Sequence, residues 1–434
     1  MLKKKFIVLP MLMGMVGFLL IGQPSLSKIT LTLWSHPNPA YVAAKEYVNK
    51  AFEEEYPDIK IKYEPQPQMD EKMLPAFAAG TVADLVEYYG STTKFAKAGV
   101  ILPVPEWVKS KKEIEEEYLP QALPNRLWEG KYYGIPEEMN ITSCGVLVNL
   151  GLLEKAGLSI PQSWIAPPDY GPKTWEELIE SARKLTIFDE RGNIKQIGLG
   201  IFGEGYIGAR FSSLIWQLGG DYRDAENKVV HFDTAEAREA IEFLRKYGEG
   251  PNRVHDAQST GWYDAFFEGN EAMAITAPWV ASVIDQNYPD IKYEYFNLPP
   301  YIEGSKPYFV AEGGWGMLVA KASKHPKEAW QYVEFTLRAE NHLYWAKTVG
   351  SVPSRKELKN DPYFQNSRLW RGVFQILPYA KEQGAYMLDT FTVMWGILPS
   401  EVSSILLGEK STEQGLKDME RRINQLIEEL YEKW

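Results

Sequence analysis

Residues 262 to 280 read Trp-Tyr-Asp-Ala-Phe-Phe-Glu-Gly-Asn-Glu-Ala-Met-Ala-Ile-Thr-Ala-Pro-Trp-Val. The aromatic start predicts a short helix that ends at Gly269 and Asn270, and the apolar run from Ala272 to Thr276 predicts a strand. Pro278 stops that strand, which leaves Trp279 just beyond its end. In open α/β sheets a ligand sits outside the carboxyl ends of the strands, where loops supply the contacts, so Trp279 is expected to face a cleft. The alternative is that Trp279 is a core aromatic, because such rings usually pack.

Working outward, 434 residues exceed one ordinary core, and two domains are expected. An apolar share of 45% and a charged share of 24% describe a globular chain able to bury large cores. Lys3, Lys4 and Lys5 precede an apolar run from Phe6 to Ile21, followed by the small residues Ser25 and Ser27. That layout predicts a secretory signal over residues 1–27 and a periplasmic or extracellular mature protein, with an uncleaved membrane anchor as the alternative. The formal net charge of −11 becomes −14 once those lysines leave with the signal. An acidic surface without a basic, aromatic-rich patch argues against nucleic acid as a partner. Cys144, the single cysteine, excludes an intramolecular disulfide and a cysteine-based zinc site. It is expected as a buried thiol in a strand over residues 141–148.

From Lys28 the pattern alternates strand and helix, which defines an α/β class. Leu31 and Leu33 alternate within a strand, Ala44, Val48 and Phe52 share a helical face with Tyr41, and Ile59, Ile61 and Tyr63 make a second strand. A helix over 73–80 and a strand over 83–89 complete β-α-β-α-β. Thr174 with Glu177, Asp233 with Glu236, and Ser411 with Gln414 read as helix starts. The last of these opens a helix whose Leu416, Met419, Ile423, Leu426, Ile427 and Leu430 form one core stripe. Residues 196–202 read as a strand and 211–218 as a helix. The proline-rich residues 161–172 read as a surface loop.

The stretch around Phe266 to Trp279 resembles the signature of extracellular solute-binding proteins of family 1, the sugar receptors of ABC importers. Segments in the family's order cover nearly the whole mature chain. They include Gly134-Ile135-Pro136-Glu137, Val148-Asn149, Lys173-Thr174-Trp175-Glu176-Glu177-Leu178, Gly313-Gly314-Trp315 and Ser323-Lys324-His325-Pro326. The resemblance implies a two-lobed, periplasmic-binding-protein-like (type II) fold with strands crossing between the lobes. The expected N-terminal lobe is 28–145 plus 315–348, and the C-terminal lobe is 146–314 plus 349–434. Crossings are expected near 141–148, 313–320 and 347–352. The resemblance also implies a monomeric, non-enzymatic receptor that needs no cofactor, whose partners are a sugar and the permease subunits of an ABC importer. In the family the tryptophan at the position of Trp279 stacks on a sugar ring, and Trp395 is similar to a position that holds another stacking aromatic. Cys144 to Asn149 departs from the family's pattern, which usually has a tyrosine before the asparagine.

A sugar presents a flat C–H face that suits an aromatic ring and hydroxyls that need fixed donors and acceptors. Trp34, Tyr88, Tyr89, Trp279 and Trp315 fall at or just after predicted strand ends and are candidates for the first task, whereas Trp175, Trp216, Trp330 and Trp345 lie within helices and are read as core. Ser35, Glu138, Asn140, Glu312 and Asp389 are candidates for the second, and Gly313 with Gly314 lets main-chain amides approach a ligand. Two enzymatic alternatives stand beside this reading. Residues 203–208 spell G-x-G-x-x-G with Asp224 downstream, the outline of a dinucleotide site, although no βαβ unit surrounds it. A secreted glycoside hydrolase would need paired carboxylates, which nothing in the sequence pairs. The five histidines are scattered without the spacing of metal ligands, so no metal is expected. Tyr88-Tyr89 as ferric tyrosinate ligands fits its strand end less well than stacking does.

Overall fold

The computed structural model describes residues 28–432, apart from 68, 166–169, 202–205, 225–227, 257–262, 383–388 and 390–391. The expected signal, Trp262 and the first three residues of the glycine motif therefore lie outside the described residues. No helix among the described residues is long and apolar enough to cross a membrane.

Three sheets organise the chain. The first runs in the order Ile59–Pro65, Ile29–Ser35, Leu85–Tyr88, Gly316–Val319, Ile135–Pro136, and its first three strands are parallel. Parallel strands need crossover helices, here Pro39–Glu55 and Met69–Ala79. Strand alternation then divides the side chains between two faces. Leu85, Met317 and Val319 pack with Leu31, Leu33, Phe52 and Trp330 on one face, while Val86, Tyr88 and Leu318 pack with Met73, Phe77 and Phe95 on the other.

The second sheet is antiparallel, with Gly145–Asn149 between Met273–Thr276 and Tyr293–Asn297. Its core draws in Phe211 and Leu214 of the helix Tyr206–Gln217, and Leu416, Met419, Ile423 and Ile427 of the final helix, Thr412–Glu432. The predicted terminal stripe thus packs as core, with Leu426 and Leu430 at its partly exposed edge.

A third sheet links the other two: Val352–Pro353, Glu138–Ile141, Phe309–Gly313 and Ala380–Lys381 lie side by side. The strand expected over 141–148 is in fact two strands in two sheets, separated at Ser143, whose φ of 53° is left-handed. Near the second crossing, Gly314 is required by contact: a Cβ there would lie 2.2 Å from Glu138 Cγ.

Several local expectations change. The cap expected at Asp233 belongs to Thr234, which accepts from Ala237 N at 3.1 Å. The loop over 161–172 contains a short helix, Gln162–Ile165, whose Trp164 is buried. Of the strand expected over 196–202, the described residues beyond Gln196 form only isolated bridges, at Ile197 and Gly200. Pro278 does end a strand, and it also begins the helix Pro278–Asn287, its fixed φ suiting the first helical position.

Candidate functional site

A cavity of about 310 Å³ opens where the three sheets meet. Its floor and one wall come from the first sheet and the linking sheet. His36 and Asn38 follow the strand Ile29–Ser35, Tyr41 lies in the first turns of the next helix, and Tyr89 follows Leu85–Tyr88. Glu138 and Asn140 project from a linking strand, and Trp315 sits between Phe309–Gly313 and Gly316–Val319. The opposite wall is made by Tyr206, Trp279 and Trp395.

The rings form two groups. Around Trp315 stand His36 at 5.1 Å, Tyr89 at 5.5 Å and Tyr41 at 5.6 Å between ring centroids. Across the cavity Trp395 meets Tyr206 edge-on at 5.0 Å, and Trp279 meets Tyr263 edge-on at 5.8 Å. Trp395 rides on a π-helical turn, Val393–Ile397, a local widening frequent at functional sites. Its indole N–H is buried without a hydrogen-bond partner, an unusual cost in a finished core.

Asn140 Nδ2 donates to the Tyr89 hydroxyl at 2.5 Å, which ties the linking sheet to the end of the first sheet. Glu138 is buried, and its Oε1 accepts from Trp315 N at 3.2 Å. Burial pushes its carboxyl up to about 8, against the pull of that hydrogen bond. Beneath the floor, Lys45 Nζ lies 2.8 Å from Glu137 and 3.0 Å from Glu87, all three side chains essentially inaccessible. Burial works against the charge on Lys45, but the two carboxylates outweigh it and raise its pKa. Ser35 Oγ donates to Glu87, and Lys45 also lies over the Trp345 ring at 5.7 Å. Burial lowers the pKa of His36, and Glu87 opposes that shift.

Of the residues singled out from sequence, Tyr89, Glu138, Asn140, Trp279, Trp315 and Trp395 come together at the cavity. Apart from Glu312, the others lie elsewhere. Tyr88 is buried against Phe95 at 5.1 Å, because strand alternation turns it inward and its neighbour Tyr89 outward. Trp34 donates from Nε1 to Glu64 at 3.0 Å on the neighbouring strand. Ser35 is buried at Glu87. Gly313 O accepts from Asn125 Nδ2 at 2.9 Å, and a Cβ on Gly313 would strike that side chain, so this glycine serves packing. Glu312 pairs through its main chain with Asn140, while its side chain lies outside the described residues. Asp389 stands 3.5 Å from Lys94 and accepts from Thr392.

His36, Tyr41, Tyr206 and Gln286 line the cavity unforeseen. His36 follows a strand end just as Trp279 does, and that signal was available. Tyr41 shares a helical face with core residues, which disguises it. Cys144 is buried beside the Tyr295 hydroxyl at 3.1 Å, and burial pushes its thiol up to about 12, an inert state. Among the described residues no group of three or more His, Cys, Asp or Glu is placed to hold a metal ion.

Comparison with known proteins fits this architecture. Residues 35–342 match the model of the bacterial extracellular solute-binding proteins. A maltotriose-binding protein of Pyrococcus abyssi is 25% identical over 88% of this chain and 78% of its own. A maltodextrin-binding protein of Bacillus subtilis is also 25% identical, over 100% of this chain and 99% of its own. Among solved structures, an ABC transporter solute-binding protein of Thermotoga lettingae bound with α-D-tagatose is 24% identical. It superposes with a TM-score of 0.78 over 92% of this chain and 100% of that one. A maltose/maltodextrin-binding domain of Bdellovibrio bacteriovorus bound to maltotriose is 19% identical with a TM-score of 0.76, covering 92% and 100%. At those identities the two structures speak to the two-lobed fold, and the match to the family model settles membership: the chain belongs to the bacterial extracellular solute-binding proteins.

Proposed function

We propose that this protein is the extracytoplasmic receptor of an ABC importer, that it binds a sugar in the cleft, and that it passes the sugar unaltered to the permease. The observation that carries this reading is the pair of aromatic walls, Trp315 with Tyr41 and Tyr89 on one side and Trp279 with Trp395 and Tyr206 on the other. Two facing aromatic walls suit the two C–H faces of a pyranose, and the unpartnered indole N–H of Trp395 suits a sugar oxygen. The relatives named for maltotriose and maltodextrin support the same ligand class. A cavity of about 310 Å³ lies at the lower end of the range for ligand pockets, which favours a disaccharide over a long oligosaccharide.

In this reading the lobes hinge on the three crossing segments, close over the sugar, and present the closed form to the membrane partner. The protein works as a monomer outside the cytosol, with residues 1–27 as its export signal. The hydrolase alternative is disfavoured because Glu138 is the sole carboxylate among the described lining residues, and a glycosidase needs a second one across the bond. Glu137, its neighbour, is committed to Lys45.

The test is a thermal-shift and calorimetric screen of the mature chain against mono-, di- and trisaccharides. A raised melting point with saturable, stoichiometric binding and an intact sugar afterwards supports the receptor. Release of free hexose without a stable complex overturns it.

A further inference from the structure

The described lining of the cavity contains no lysine and no arginine. Buried cations close to the lining are already engaged: Arg210, 6.0 Å from the Tyr206 ring, donates to the main-chain carbonyls of Ile201 and Ile275. Lys45 sits between Glu87 and Glu137, and buried Arg126 donates to the main-chain carbonyls of Tyr88, Gly90 and Gly314. Lys94 faces Asp389. The stretches between residues 28 and 432 that lie outside the described residues contain neither lysine nor arginine. An anionic group entering this cavity therefore finds no counter-charge, and a charge taken from water without one is strongly disfavoured.

Glu138 adds a carboxyl that can become the counter-charge of a cation but never of an anion. Its carboxyl is laid against the turn that carries Trp315, braced by the hydrogen bond from Trp315 N and by Gly314, which has no Cβ to displace it. Aromatic rings line the same cavity, and their faces attract a cation and repel an anion. We propose that Glu138 and these rings set the charge selectivity of the cleft: an amine-bearing sugar binds at least as tightly as its neutral parent, and a uronic acid is rejected. The selectivity rests on the sugar reading above and narrows it to a class of sugar. The raised pKa of Glu138 agrees with it, since a carboxyl whose charge is disfavoured by burial ionises readily beside an ammonium group.

The experiment is calorimetry at pH 7 with glucose, glucosamine and glucuronic acid, and with the same three units built into a 1,4-linked dimer. The expected result is that the carboxylate form binds at least tenfold more weakly than the neutral form and the amine form no more weakly. In Glu138→Gln, where the amide oxygen still accepts from Trp315 N, the gap between amine and carboxylate forms should shrink at least tenfold. A carboxylate sugar that binds the unmodified protein as tightly as its neutral parent overturns the proposal while leaving the sugar receptor standing. An unchanged gap in a folded Glu138→Gln protein does the same. If that variant does not fold, the comparison in the unmodified protein decides alone. Failure of every saccharide in the wider screen removes the sugar reading and this selectivity together.

Discussion

On the wall that carries Trp315, the rings rest on charge: Tyr41 packs on Trp345, Trp345 lies under Lys45, and Lys45 is clamped by Glu87 and Glu137. On the wall that carries Trp279 and Trp395, the rings rest mainly on apolar side chains, with a buried cation, Arg210, 6.0 Å from the Tyr206 ring. The helix Tyr206–Gln217 behind them is buried along its length, and its cation Arg210 donates to the main-chain carbonyls of Ile201 and Ile275. The difference lies in how each wall fails. An ionic cluster out of water holds only while every member is present, whereas an apolar wall weakens in proportion to the surface removed.

Lys45→Met is the sharpest way to break that contrast. It leaves two buried carboxylates without their cation, and we expect a loss of about 3–5 kcal/mol in urea unfolding. A loss below about 1 kcal/mol would show that the cluster rids itself of charge by taking a proton. Next in size is Trp279→Ala, which should weaken sugar binding at least tenfold, about 2 kcal/mol if the ring is a desolvated anchor. Its urea midpoint should move far less than that of Lys45→Met, and unchanged affinity in calorimetry would remove Trp279 from the site.

A smaller effect comes from pH. The Glu138 carboxyl titrates at about 8 in the folded chain against an ordinary 4.5, so between those values the native state holds a proton that the unfolded state has released. Stability therefore falls as pH rises from about 4.5 to about 8, and Glu138→Gln should flatten part of that slope in a melting series. Glu271, also raised by burial to about 8, contributes in the same direction and should keep its share in the variant. The smallest effect is expected for Asp389→Asn. Its partly exposed pair with Lys94 links residues far apart in the sequence, and such pairs contribute about 0–1 kcal/mol. A two- to threefold loss of affinity that disappears at high salt is the expected readout.

What the sequence disclosed about this site follows the range of the forces involved. Trp279 and Trp315 were legible because strand ends are local features, set by alternation and by Pro278. Tyr88 and Tyr89 show the limit, since a shift of one residue in the frame of a strand exchanges core for cleft, and a run of apolar residues does not mark which is which. Tyr206 was hidden inside a glycine motif whose first residues lie outside the described part of the chain. Lys45 was invisible for a different reason. A lysine on an amphipathic helix reads as solvated, and the partners that bury it, Glu87 in a strand and Glu137 between two strands, are distant in sequence. The α/β class and the β-α-β-α-β opening were plain because each repeats a short period many times. The break at Ser143 was not, because one left-handed residue leaves no pattern.

The position of the strand Gly316–Val319 has a consequence for how the molecule is made. It lies inside the first sheet, between Leu85–Tyr88 and Ile135–Pro136, yet it is synthesised long after both. Until it emerges from the ribosome, the early strands have an open flank and no seat for Trp330 and Val333 of the following helix. The first sheet therefore cannot be completed while only the N-terminal part of the chain has been made. What this sheet contributes to the cleft, Trp315 beside that strand included, is thus put in place late, by a segment made long after the strands it joins.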